Sequence, residues 1–333
     1  MGQTTAFSYN QAGQLVQQIA ADNSITRYVY NAFGKRIAVI DALGRQFKRH
    51  FNATGRLLSE TEPDGQITEY KYNDKGHLSE KIMPDGQRTL YQWNDSGELL
   101  AEKTGEALTR YSYDKLGHLN AICDAQDLIT EYQRNEQGQI TQQVSYPQTE
   151  ATADKNFPDS AVITRYVYDN AGRLTNIVSP NGDSTHYGYG GLAQPTKKTF
   201  ADGSWLNYQY DKERNLIGIE RSDEATYAIE YSPTEKPTKL VGFDGRAQTY
   251  QYDNNDKLIT VNDANERIIQ LKRDSLGNIV DQHSFTTHGN KQLNFNSHNF
   301  YQYDAIGRIT LAHNSDRVIQ QQYHLNGQVS QSK

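Results

Sequence analysis

Five aspartates, Asp114, Asp169, Asp211, Asp253 and Asp304, each follow a tyrosine directly. Carboxylates are the groups from which acid–base catalysis and cation sites are built, so their setting decides how the chain is read. All five occupy one slot, three residues before a glycine or the residue that replaces it. An Asp in such a slot caps the backbone N–H groups of a turn, and its repetition argues for structure over catalysis. The run Asp253-Asn254-Asn255-Asp256 gathers oxygen donors but lacks the alternate ligand spacing, central Gly and distal Glu of a calcium loop. His77 and His118 read as surface substituents. His283, His288 and His298 gather in one polar segment, where a weak metal or substrate contact could sit, although an exposed polar loop is the plainer reading. The single cysteine, Cys123, excludes an internal disulfide and has no basic neighbour to activate it, so it reads as packing. With no Gly-x-Ser-x-Gly elbow, phosphate loop or dinucleotide fingerprint, an enzyme is not expected, nor any cofactor or resident metal.

The slot belongs to a phrase that returns along the chain: aromatic, any residue, aromatic, Asp or Asn, two residues, Gly, one residue, Leu or Ile. Its clear copies include Tyr70-Lys71-Tyr72-Asn73-Asp74-Lys75-Gly76-His77-Leu78, Tyr111-Ser112-Tyr113-Asp114-Lys115-Leu116-Gly117-His118-Leu119 and Tyr166-Val167-Tyr168-Asp169-Asn170-Ala171-Gly172-Arg173-Leu174. Taking the glycine as the register mark gives fifteen copies: Gly13, Gly34, Gly55, Gly76, Gly97, Gly117, Gly138, Gly172, Ala193, Arg214, Glu235, Asp256, Gly277, Gly307 and Gly327. The period is 21 residues, broken by insertions near 146–161 and 283–298, both polar and loop-like. The whole chain, 1–333, reads as one such array. Ala193, Arg214, Glu235 and Asp256 mark degenerate turns within it.

Tyr-x-Tyr has period two and places both rings on one strand face. Asp or Asn then opens a turn, and Gly supplies the positive φ that closes it. A second turn signal follows about half a repeat later, as in Pro63-Asp64-Gly65, Pro84-Asp85-Gly86 and Pro180-Asn181-Gly182. Each repeat therefore holds two short antiparallel strands, so the fold class is all-β: tandem hairpins in one sheet of about thirty strands. Leu, Ile, Val and Phe make up only about a fifth of the residues, at the border of disorder. That is too little apolar surface to cover both faces, so a curling single layer is expected. Its cohesion would come from ladders of repeated residues: Tyr30, Tyr72, Tyr113, Tyr168, Tyr210, Tyr252 and Tyr303, with the turn residues Asp114, Asp169, Asp304, Gly55, Gly76, Gly117, Gly172 and Gly307.

A net charge of −6 without a basic run gives no footprint for nucleic acid. No apolar stretch is long enough for a membrane span, and the first residues show no basic-then-apolar signal peptide.

Tyr168-Asp169-Asn170-Ala171-Gly172-Arg173-Leu174 resembles the Tyr-Asp-x-x-Gly-Arg-Leu signature of the YD repeats of the Rhs family, shared with the B and C components of insecticidal Tc toxins and with teneurins. Phe51-Asn52-Ala53-Thr54-Gly55-Arg56-Leu57 and Tyr303-Asp304-Ala305-Ile306-Gly307-Arg308-Ile309 are similar to it. The resemblance implies a β-sheet spiralling into a hollow shell that encapsulates or chaperones a secreted toxin in bacterial competition, often through type VI secretion. It implies a polymorphic toxin system, a bacterial cytoplasmic location before export, and a secreted or cell-surface one after it. The Asp-Pro-rich closing segment and self-cleavage site of such cores are not in the sequence, so a fragment is expected. Its partners would then be a toxin domain or further Rhs repeats of a longer or partner chain, with edge-to-edge homo-oligomers a consequence of open strand edges. The alternative is an extracellular carbohydrate- or protein-binding YD-repeat module, as in teneurin-like relatives.

Overall fold

A strand ending in Tyr-x-Tyr stops where Asp or Asn takes over the hydrogen bonds of the ladder, and the structure shows how. In the computed structural model, which describes residues 4–151, 157–263, 265–288 and 292–333, the strand Ala107–Tyr113 runs into Asp114. The Asp114 N–H donates to the His118 carbonyl at 2.9 Å, and the Gly117 N–H returns to the Asp114 carbonyl at 3.1 Å. The Asp114 carboxylate accepts the N–H groups of Leu116 and His118 at 2.8 and 3.0 Å. Gly117 sits at φ +82°, where a side chain is strained. Tyr113 then opposes Leu119 while Ser112 opposes Ala121, leaving Asn120 as a bulge. The same shift recurs at Tyr30, Phe51, Tyr168, Tyr210 and Tyr252. The second turns, as at 62–66, close with no shift on either side. Each of these repeats therefore carries its extra residue just after the Asp or Asn turn.

Thirty short strands joined by turns build the described chain, and strands adjacent in sequence pair antiparallel. The chain divides into two compact units, 1–69 with 228–333, and 70–227. In the first unit, turns far apart in the chain meet. Arg45, held by Asp41 at 2.7 Å, donates its Nη1 to the Leu325 carbonyl at 3.2 Å. In the second unit the hairpins run in sequence order from Leu78–Ile82 to Leu216–Arg221.

The sheet lacks a second layer over most strands. The accessible surface is 21428 Å², against about 14,000 Å² for a compact protein of this mass. Strands such as Ile67–Tyr72 and Thr226–Tyr231, before the bulged turn, alternate between exposed and half-buried residues, while the strands that follow them, Leu78–Ile82 and Pro237–Val241, are half-buried throughout. Tyr70, Tyr72, Tyr227 and Tyr231 lie on the half-buried face of these strands.

The first insertion makes a local core. The strand Ile140–Pro147 runs into the short 3-10 turn Gln148–Glu150, and the Gln148 N–H ties back to the Asp127 carbonyl at 2.7 Å. Val144 and Tyr146 become buried there, with Phe157 6.1 Å from the Tyr146 ring. Residues 152–156 of this insertion lie outside the described ones. The second insertion corrects the sequence reading. It is no loop but a hairpin of long strands, Ile279–His288 and Gln292–Tyr303, because the polar residues there alternate with Phe285, Leu293 and Phe295, good strand formers on one pleat. Residues 289–291 lie outside the described ones.

Arg214, Glu235 and Asp256 keep the left-handed conformation of the missing glycine, at φ 72°, 60° and 57°. The fourth degenerate copy does not: there Gly191 takes the positive φ at 91°, not Ala193, because the Gly190-Gly191 pair offers a cheaper place for it. Two substitutions of opposite sign check this account. Gly172→Ala, with φ +77° and a Cβ 3.3 Å from the Gln139 amide, should cost about 1–2 kcal/mol. Arg214→Gly should leave stability unchanged or raise it by up to about 1 kcal/mol. Urea midpoints that move together in the same direction would refute a shared backbone requirement.

Candidate functional site

The second aromatic of each phrase ends its strand next to the preceding hairpin, and its polar tip finds a backbone carbonyl there. Tyr30, Tyr113, Tyr168, Tyr189, Tyr210, Tyr252, Tyr303 and Tyr323 donate their hydroxyls to the carbonyls of Leu15, Leu99, Ile140, Leu174, Pro195, Pro237, Ile279 and Ile309 at 2.6–3.0 Å. The acceptor is always the residue that opens the second strand of the previous repeat, usually fifteen residues earlier. Across the insertions the separation grows to 28 and 24 residues, yet the bond is kept. Trp93 performs the same act with its indole N–H on the Leu78 carbonyl, at 2.7 Å. Arg134 and Arg273, which stand in the aromatic slot, do it with guanidinium N–H groups on Leu119 and Leu258, at 3.2 and 3.3 Å. Phe51 fills the slot without a donor. Tyr72 is half-buried at the end of Ile67–Tyr72.

The residue after the glycine makes a second link. Arg173 reaches back to Asp169 at 2.7 Å, forward to the Leu192 carbonyl at 3.1 Å, and lies 4.6 Å from the centre of the Tyr189 ring. Arg308 pairs with Asp304 at 2.7 Å and lies 4.2 Å from the Tyr323 ring. Gln14, Gln139 and Gln194 join successive turns through the carbonyls of Gly34, Gly172 and Arg214. His77, expected on the surface, is half-buried with its ring 5.2 Å from that of Trp93. His118 remains exposed and turns back to Asp114 at 3.1 Å.

These surroundings set the ionisation of the ladder. The backbone N–H and guanidinium of Arg173 hold Asp169 below the usual carboxylate range, and the backbone N–H of His118 does the same for Asp114. Burial pushes the hydroxyls of Tyr168, Tyr189, Tyr210, Tyr252 and Tyr303 up. Burial and a carboxylate partner, Glu102 and Glu131, push Tyr111 and Tyr146 up to about 12.

The candidate calcium run is a turn: Asp253 accepts the N–H groups of Asn255 and Lys257 at 2.9 Å, and Asp256 accepts the Thr234 hydroxyl. Cys123 ends the strand Leu119–Cys123 with its thiol 3.4 Å from the Gln148 side chain. In the second insertion, cross-strand pairing places His283 opposite His298. Their rings stack at 4.2 Å, and both Nε2 atoms approach one oxygen of Asp281, at 3.0 and 2.6 Å. Spacing in the sequence singled out His283 and His298 but missed Asp281, whose signal is its place two residues before His283 on the same strand face. The side chain of His288 lies outside the described ones.

Comparison with known proteins agrees with the repeat. Residues 9–46, 51–88 and 168–204 match the RHS Repeat family, so the chain carries RHS repeats. No curated protein matches. Among solved structures, the fold is similar to that in the crystal structure of TcdB2-TccC3-TEV, with a TM-score of 0.79, 16% identity, and coverage of 98% of this chain and 20% of that one. It is also similar to TcdB2-TccC3 without its hypervariable C-terminal region, at TM-score 0.69 and 14% identity over 98% and 22% of the two chains. A structure of the Photorhabdus luminescens Tc holotoxin pore gives TM-score 0.61 and 16% identity over 98% and 20%. The chain thus spans about a fifth of the length of these structures.

Tyr189→Phe deletes one hydroxyl and strands a carbonyl, and should cost about 1 kcal/mol. Phe51→Tyr supplies the missing donor toward the Arg36 carbonyl and should gain up to about 1 kcal/mol. Unchanged unfolding midpoints in both would remove the hydroxyl lock from the account. Because the folded state raises the tyrosine pKa values, it holds protons that the unfolded chain releases above a pH of about 10. Stability should therefore be full below that pH and fall as pH climbs toward 12, with a shallower fall in Tyr146→Phe.

Proposed function

We propose that this chain is a wall segment of an Rhs-type shell, a structural module that encloses a toxic polypeptide and performs no catalysis itself. One observation carries the reading. The repeated Tyr, Asp and Arg side chains, with the glycine at positive φ, are spent on closing each turn and binding one hairpin to the next. The RHS repeats and the fold shared with Tc toxin structures support it, as does the meeting of distant hairpins at Arg45 and Leu325. On this reading the chain is made in a bacterial cytoplasm and leaves with its cargo, by a type VI route or one like it. It docks further repeats at the exposed terminal strands Ala6–Tyr9 and Val329–Ser332.

A second reading, an extracellular module that binds a carbohydrate or a protein, is favoured by the apolar turn tips Phe33 and Leu116, 79% and 82% exposed. The two separate in one experiment. The protein is isolated gently from its own cells and challenged with trypsin, with and without urea. A co-purifying polypeptide that survives the protease until urea opens the wall is the expected result. If no polypeptide is protected, and the protein binds a glycan or protein through Phe33 or through Leu116, the shell reading falls.

A further inference from the structure

The base of the second insertion holds a cluster that the repeat does not need. Asp281, His283 and His298 each offer one ligand atom, and the three atoms lie within 4.8 Å of one another. Asp281 and His283 are two apart on Ile279–His288, so their side chains share a face, and cross-strand pairing brings His298 of Gln292–Tyr303 opposite His283. No copy of the 21-residue phrase supplies this trio elsewhere. We propose that these residues form a site for zinc, a divalent first-row transition metal.

The donor set selects the ion. Two imidazoles and one carboxylate suit zinc, nickel or copper, whereas calcium and magnesium require shells of oxygen. The geometry is close to what coordination needs. Two ligands of a tetrahedral zinc, each at 2.0–2.1 Å from the metal, stand about 3.3 Å apart. The Nε2 atoms of His283 and His298 lie 3.0 and 2.6 Å from Asp281 Oδ1. Widening these by a few tenths of an ångström, within the reach of side-chain torsions, makes room for the ion. In the metal-free state each imidazole donates an Nε2–H to the shared carboxylate. Binding replaces these protons: each neutral imidazole releases its Nε2 hydrogen and re-protonates at Nδ1, so the Nε2 lone pair faces the metal.

One flank of the cluster is aromatic. Phe285 stacks parallel to His283 at 6.1 Å, and Phe295 meets Phe285 edge-on at 5.9 Å. Such a flank fixes the ring orientations and weakens competition from water on that side. The three side chains stay 25–42% exposed, so the ion can enter and a fourth position remains for solvent. Joining both strands at one point, the metal would act as a clasp on the long hairpin.

Zinc titration of the full chain against a chelating indicator, at neutral pH and physiological salt, tests the site. One ion per chain with a dissociation constant of about 10 µM or tighter is expected, unaffected by excess calcium or magnesium. His283→Gln and His298→Gln should each weaken it at least tenfold, with circular dichroism confirming that the variants stay folded. His118→Gln, in the other unit, should change nothing. X-ray absorption at the zinc edge should show two imidazole nitrogens. Binding weaker than about 10 µM, binding that survives both histidine substitutions, or a coordination shell without imidazole would overturn the proposal.

Discussion

A side-chain donor at the end of one strand, bonded to the carbonyl that opens the second strand of the preceding hairpin, is the constraint on which the rest of this protein depends. A single-layer sheet has almost no interior, and among the described residues only Val144, Tyr146, Gly218 and Ser284 are buried. Hydrophobic burial alone cannot then fix the order of the hairpins. Each lock contributes about 1 kcal/mol at most, but it recurs along the chain, and the energies of neighbouring repeats add. The lock is chemically tolerant: phenol, indole and guanidinium all serve, because the acceptor is a backbone atom that every residue carries.

The repeated phrase acquires a physical meaning from this. Tyr binds the previous hairpin and Asp closes the turn by accepting two N–H groups. Gly takes the positive φ, and Arg joins that Asp to the ring of the next Tyr, as at Asp169, Arg173 and Tyr189. Where one member fails another compensates. Arg134 and Arg273 both lock onto the earlier strand and hold the carbonyls of Gly138 and Gly277 in their own turns. A motif that sequence presents as a string of letters is thus a set of links pointing backward, inward and forward.

The strands and turns were legible in the sequence because period two and Asp-x-x-Gly are local signals. The carbonyl partner of Tyr113 or Tyr168 was not, since backbone atoms leave no letter. Residues 283–288 were misread because a polar composition suggests a loop, while the pleat formed by His283 and Phe285, with Phe295 facing them, outweighs it. Asp281 escaped notice for a related reason: its role exists only once the hairpin register sets His298 beside it. The positive φ expected at Ala193 moved to Gly191 because a glycine pair absorbs strain more cheaply than any other residue nearby.

The lock also has a direction. Every donor follows its acceptor in the chain, Tyr30 after Leu15 and Tyr323 after Ile309. As the polypeptide leaves the ribosome, each new tyrosine therefore meets a carbonyl that has already emerged, whereas the forward links, such as Gln14 to the Gly34 carbonyl and Arg45 to that of Leu325, close later. Assembly can advance one hairpin at a time behind the exit tunnel, and a stalled or shortened chain still has its completed locks closed.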